Sequence, residues 1–215
     1  MSESILSITL RSLYVSSTAA LIAFASAVAL SALLARAPRR RAEMALGVFE
    51  ALVGVPTTVI GLFVYMLLYP QGPLGFARLL YTPMAIVIGQ FFVALPMAFT
   101  SMFRPFYELK ECARELVLSL GCPEGRATKV LLRELAPVLT SSYLLAFSRA
   151  IGELGVALIV GGGIEGYTSV LTTAIAVRTS IGDYEVAIQI GLVLLSITIS
   201  LALMLKAFGE RVLWR

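Results

Sequence analysis

The sequence predicts an all-α integral membrane protein with about five transmembrane helices and a helical segment protruding on one side of the bilayer. Three observations carry this. Of the 215 residues, 59% are hydrophobic and only 14% are charged, against about 25% charged in a soluble domain. Mean hydropathy is +0.91. Four stretches long enough to cross the hydrocarbon, which takes about 20 residues, hold no charge at all: Ser12 to Ala35, Ala51 to Phe76, Leu79 to Phe103 and Val186 to Leu205. A fifth, Pro137 to Val160, is interrupted only by Arg149 and Glu153. None alternates apolar with polar residues as a barrel strand does. The solvent of this chain is lipid.

The first stretch exceeds the roughly 7–15-residue apolar core of a secretory signal. Its basic residues, Arg36, Arg39, Arg40 and Arg41, follow it as in a retained anchor. It is rich in small residues (Ser16, Ser17, Ala19, Ala20, Ala23, Ala25, Ser26, Ala27), which suit close approach of a neighbouring helix. Pro56, Pro83 and Pro96 lie in or near the next two spans, where proline is tolerated if neighbours satisfy the freed carbonyls. They serve either as hinges or simply to set helix shape.

Lysine and arginine placement sets the orientation. With five spans, 13 of the 17 basic residues fall in one set of loops, while Arg11, Arg78 and Arg178 fall in the other and Arg149 lies within a span. That asymmetry puts the amino terminus outside and the carboxyl terminus in the cytoplasm. The formal charge of +4 is explained by this topology and does not call for nucleic acid.

The same topology makes residues 104–136 a long cytoplasmic segment. Between Glu108 and Glu134 it interleaves ten charges with Leu109, Leu116, Val117, Leu118, Leu120, Val130, Leu131 and Leu132. That is the pattern of amphipathic helices resting on something. Gly121 suits a left-handed helix stop and Pro123 the first turn of the next helix. The segment therefore reads as helix, tight turn, short helix, which is a docking surface.

Nothing in the chain reads as catalytic. It has no histidine; two cysteines, Cys112 and Cys122, fall short of the four ligands of a typical zinc site and read as free thiols. Gly121-Cys122-Pro123-Glu124-Gly125-Arg126 lacks the Lys-Ser/Thr of a phosphate-binding loop. No metal or cofactor is expected on the chain itself.

Glu115-Leu116-Val117, three residues, then Gly121 resembles the Glu-Ala-Ala-x3-Gly loop of ABC importer permeases. The two alanines are replaced, and the usual Leu-Pro that follows appears as Leu132-Arg133, with a proline at Pro137. Further runs are similar to the tungstate-type branch of the molybdate, tungstate and sulfate permeases. They include Gly54-Val55-Pro56-Thr57-Thr58-Val59-Ile60-Gly61-Leu62, Gly72-Pro73-Leu74-Gly75, Thr82-Pro83 with Gln90, and Ala94-Leu95-Pro96. The longest is Arg149-Ala150-Ile151-Gly152-Glu153-Leu154-Gly155, then Val160-Gly161-Gly162, Gly166-Tyr167-Thr168 and Val170 to Ile175. The resemblance runs from about Ser12 to Leu205 and implies a single transmembrane domain over 1–215.

It also implies a division of labour. The permease works as a homodimer with two copies of a separate ATPase, which binds ATP and Mg, and with an external oxyanion-binding protein. Glu115, Gly121, Cys122, Pro123, Glu124, Gly125 and Arg126 would form the ATPase-coupling loop. The expected activity is ATP-driven oxyanion import by alternating access, with tungstate foremost and molybdate or sulfate as alternatives. A secondary carrier is the rival class, although no internal repeat of the kind such carriers carry is visible.

Arg149 and Glu153 stand four apart, close enough to pair. Charges at mid-membrane are expensive, about 2.5–3.5 kcal/mol each on insertion scales, so they must face protein or water. They either line the translocation path or brace one helix against its neighbours. Gly161 and Gly162, with Thr168, lie at the outer end of the same span. They either free backbone N–H groups for a passing anion or end the helix and shape an outer docking face.

Overall fold

The computed structural model describes residues 3–35, 37–120 and 124–213, with backbone alone over 109–134 and 208–213. The described residues form helices and turns, without strands. α1 (Ile5–Leu34) starts at Ser4, whose hydroxyl accepts the Ser7 N–H. Its buried side is the small-residue stripe: Ser12, Ser16, Ala19, Ala20, Ala23 and Ala27 face inward. Such residues let backbones approach, and α1 packs along α4 (Pro83–Leu120) and α5 (Glu124–Ile151). Leu10, Tyr14, Leu21 and Leu33 point outward, as lipid contact requires.

Three helices are long and apolar enough to cross a bilayer by themselves: Ile5–Leu34, the Pro83–Glu108 part of α4, and the Tyr184–Ala207 part of α8 (Tyr184–Leu213). Two bent helix pairs bring the number to five if each is one broken span, and here the sequence boundaries need correction. The stretch Ala51 to Phe76 is not one helix. α2 (Arg39–Val53) and α3 (Thr57–Leu68) meet at 99°. Gly54, Val55 and Pro56 form the break, because Pro56 offers no N–H and disfavours helix at the residue before it. α3 rises only about 18 Å, short of the roughly 30 Å hydrocarbon. Pro70, Gly72, Pro73 and Gly75 then turn the chain, and a side chain at Gly72 or Gly75 would strike the carbonyls of Met66 and Tyr69. Arg39, Arg40 and Arg41 are correspondingly not loop residues but the first turn of α2.

The second correction concerns Pro137 to Val160. The span is α5 followed by α6 (Gly155–Gly161), bent by 59° at Gly152, Glu153 and Leu154. Beyond it, α7 (Leu171–Ser180) leads to α8.

The segment 104–136 is helical on both sides of residues 121–123. α4 runs on to Leu120 and α5 resumes at Glu124, so the spans themselves extend into it. Gly121, Cys122 and Pro123 lie outside the described residues, as do the side chains of Glu115, Glu124 and Arg126, with Gly125 described by backbone alone.

Packing divides between the two ends. Toward the charged side, Phe49 meets Phe99 at 4.4 Å, and Phe99 stacks on Phe103 at 4.9 Å, joining α2 to α4. Toward the other, α6 is pressed between α3 and α4. A Cβ on Gly61 would lie 3.1 Å from the Val156 Cα, and one on Gly89 would overlap the Val156 side chain. These small residues hold the short helix tightly.

Candidate functional site: a broken span with an ion pair

The break between α5 and α6 gathers four elements. An Arg149 Nη1 N–H donates to Glu153 Oε2 at 2.9 Å, so the pair forms although the helix does not continue between its members. The other carboxylate oxygen of Glu153 accepts the Val156 N–H at 3.2 Å, one of the unpaired donors at the start of α6. Its backbone carbonyl accepts the Thr172 hydroxyl of α7 at 2.9 Å. Gly155, at the next turn, lies against Thr57 and Thr58 of α3. Glu153 thus ties α5, α6 and α7 together.

The two partners are unequally placed. The Glu153 side chain is 3% exposed and that of Arg149 is 31% exposed. A guanidinium carries five N–H donors, and among the described residues only Glu153 engages one of them. The carboxylate is consumed by structure, whereas the guanidinium keeps donors to offer. Ionisable groups within a span face the bundle interior or a water-filled cavity.

Thr168 and the glycines stand at the C-terminal end of α6. The Thr168 hydroxyl donates to the Gly161 carbonyl and accepts the Ile164 N–H at 2.9 Å. Thr168 is fully buried. Gly162 (φ +71°) and Gly163 (φ +60°) end the helix in the left-handed region, and the Tyr81 ring lies 3.0 Å from where a Gly162 Cβ would be. Tyr81 itself holds φ +61° and donates its N–H to the Val160 carbonyl at 2.9 Å. The end of α6 is therefore pinned to the loop that starts α4.

A second polar cluster, which residue spacing did not suggest, fastens the same loop to the start of the chain. Arg11 donates to the carbonyls of Ser169 at 2.8 Å and Gly166 at 3.1 Å and pairs with Glu3 at 2.7 Å. Glu3 in turn accepts the Gly166 N–H at 2.9 Å. Arg178 pairs with Glu165 at 2.6 Å and Asp183 at 3.3 Å. Arg11→Ala strands the carbonyl of the buried Ser169, worth about 1–3 kcal/mol when left unpaired, and takes the cation away from Glu3. It is expected to lower the thermal unfolding midpoint of the detergent-solubilised chain.

Residues 15–214 match the family described as the inner membrane component of binding-protein-dependent transport systems. The chain belongs to this family. It is a multi-pass membrane component of such a system. It is 36% identical over 199 residues to the tungstate uptake system permease protein TupB of Peptoclostridium acidaminophilum, covering 93% of this chain and 87% of that one. A probable anion ABC transporter permease of Haloferax volcanii is 30% identical over 96% of this chain and 91% of its own. The sulfate transport system permease protein CysT of Escherichia coli is 29% identical over 74% of this chain and 61% of its own. Similarity thus extends across the tungstate and sulfate branches, and it runs nearly end to end with the tungstate protein.

Among the described residues there is no group of three or more metal-ligating side chains. Of the residues singled out by sequence, the fold brings Arg149 and Glu153 together at the break and Gly161, Gly162 and Thr168 together at the far end of α6. Thr172 was missed as a partner of Glu153. Its only signal was its place in the threonine pair Thr172-Thr173, 19 residues on.

Proposed function

We propose that the chain is the permease subunit of an ATP-driven importer that moves an oxyanion, tungstate foremost, into the cell by alternating access. The observation that carries this reading is the break at Gly152–Leu154, which sets an under-occupied guanidinium beside a structurally committed carboxylate halfway along a span. Similarity to a tungstate permease over nearly the whole chain supplies the choice of anion.

In this reading two copies of the chain enclose the path, an external binding protein delivers the anion, and two ATPase subunits on the cytoplasmic side supply the energy. Residues 1–215 form one transmembrane domain. The amino terminus lies outside. Arg149 meets the dehydrating anion with charge-assisted hydrogen bonds. Gly161, Gly162 and Thr168 form the rigid outer rim. Binding in the path stays weak, because selection belongs to the external receptor and a tight site would hold the anion back. The coupling loop around Glu115, Gly121, Cys122, Pro123, Glu124, Gly125 and Arg126 docks on the ATPase.

The test is anion-stimulated ATP hydrolysis in liposomes that hold this chain with its ATPase, and with the binding protein on the other side. Tungstate, molybdate and sulfate are tried in turn. Tungstate is expected to stimulate at the lowest concentration. Stimulation by sulfate or molybdate first changes the substrate and keeps the class. No stimulation by any of them, with no ATPase co-purifying, overturns the importer reading in favour of a secondary carrier.

A further inference from the structure

α2 has two features that the transport reading leaves unused. Its first turn carries three exposed arginines. Arg39 is held by Glu43 at 2.8 Å, while the side chains of Arg40 and Arg41 have no ion-pair or hydrogen-bond partner among the described residues. Its apolar residues fall into two separate sectors. Ala42, Leu46 and Phe49 pack inward on α4. Met44, Val48 and Leu52, spaced four apart and so on one stripe, remain 64%, 59% and 41% exposed.

The placement of the helix explains both. α1 ends at Leu34, close to Arg39 in sequence, so α2 starts at the membrane boundary that α1 reaches. α3 starts with Thr57 against Gly155, beside the mid-span break. α2 therefore runs along the boundary, where Glu50 near its end still pairs with the exposed Arg104 at 3.4 Å, and the chain turns through 99° into α3 only after it.

We propose that α2 binds an anionic phospholipid of the leaflet it borders, with Arg40 and Arg41, flanked by Arg39, holding the headgroup phosphate and the Met44–Val48–Leu52 stripe lying along the acyl chains. Guanidinium forks match phosphate oxygens bidentately, and a helix with a basic polar end and an apolar face is suited to the interface. Charge complementarity favours lipid over a second copy of the chain, since a copy brings three more arginines at this end. The proposal needs only that the chain spans a bilayer. It stands or falls separately from the anion and the ATPase.

The intact chain, with whatever partners co-purify, is equilibrated with equal amounts of phosphatidylglycerol and phosphatidylcholine, and the retained lipid is read by native mass spectrometry. A preference of at least about fivefold for phosphatidylglycerol is expected, near the gain of one arginine at an anionic surface. R40Q/R41Q brings it close to unity. R40K/R41K keeps most of it, as an unfolded variant does not. R78Q, in the turn between α3 and α4, leaves it unchanged. Equal retention of both lipids by the wild type, or an unaltered preference in R40Q/R41Q, overturns the proposal. Displacement of the lipid by millimolar inorganic phosphate reassigns the cluster to free anions. Dissociation of R40Q/R41Q into monomers with its lipid preference intact reassigns it to a contact between copies.

Discussion

Replacing the intramembrane ion pair by a neutral one, Arg149→Gln with Glu153→Gln, is expected to leave the chain folded and to cut oxyanion uptake by about tenfold or more. The neutral pair keeps what the structure needs. A glutamine in place of Glu153 still offers a carbonyl oxygen to the Val156 N–H, which the native carboxylate accepts at 3.2 Å. Its side-chain amide can pair with that of a glutamine in place of Arg149. The carbonyl that takes the Thr172 hydroxyl is backbone and is untouched. What disappears is the guanidinium. A hydrogen bond to a charged group is worth about 1.5–3 kcal/mol, and each 1.4 kcal/mol is tenfold, which sets the expected loss.

The single substitutions separate the two roles the pair can have. Arg149→Gln leaves a carboxylate buried without its cation, and Glu153→Gln leaves a guanidinium in the span without its counter-charge. Leaving the buried carboxylate without its cation costs about 3–5 kcal/mol and leaving the part-exposed guanidinium alone costs less, so both singles, Arg149→Gln above all, are expected at reduced levels in the membrane. The double variant recovers stability, which is the signature of coupled neighbours. If uptake in proteoliposomes recovers along with stability, the pair is a brace between α5, α6 and α7 and no more. Recovery of stability without recovery of uptake places the guanidinium in the path.

The helical class, the approximate span count and the Arg149–Glu153 pair were all legible in the sequence, because each depends on local information. Apolar run length registers a span whatever its shape. Spacing of four registers a contact along a helix. The bends were not legible by the same rule. Gly54, Val55 and Pro56 are as apolar as their surroundings, so hydropathy passes through them, although the proline marks a boundary. The inward face of α2, Ala42, Leu46 and Phe49, straddles a charged segment and an apolar one, and cutting the chain by charge divided the helix. Gly152 and Glu153 gave a motif but no angle. The 59° bend depends on Glu153 satisfying Val156 and on Thr172 reaching back from α7. The clamp from Glu3 and Arg11 to Gly166 and Ser169 joins residues more than 150 positions apart, for which no periodicity exists to read.

Gly121→Asp is expected to leave the chain in the membrane, still able to assemble, but to abolish coupled transport while ATP hydrolysis continues. α4 and α5 pack along each other and are joined across 121–123, between Leu120 and Glu124. The sequence expectation is a left-handed stop at Gly121, which costs an ordinary residue about 1–2 kcal/mol and adds a charge to the surface that would meet the ATPase. Membrane insertion depends on the apolar spans, which the substitution does not touch. A push on the connection, by contrast, is passed along α4, a single helix from Pro83 to Leu120, or about 56 Å. It also passes along α5 to Ile151, next to the Gly152–Leu154 break. The coupling proposal therefore has a direct mechanical form, in which motion at the ATPase is delivered at Arg149 and Glu153. The check is a paired measurement on reconstituted complexes, ATP hydrolysed against anion taken up. A wild-type ratio in Gly121→Asp removes the loop from the coupling route, whereas loss of uptake with hydrolysis retained assigns it there.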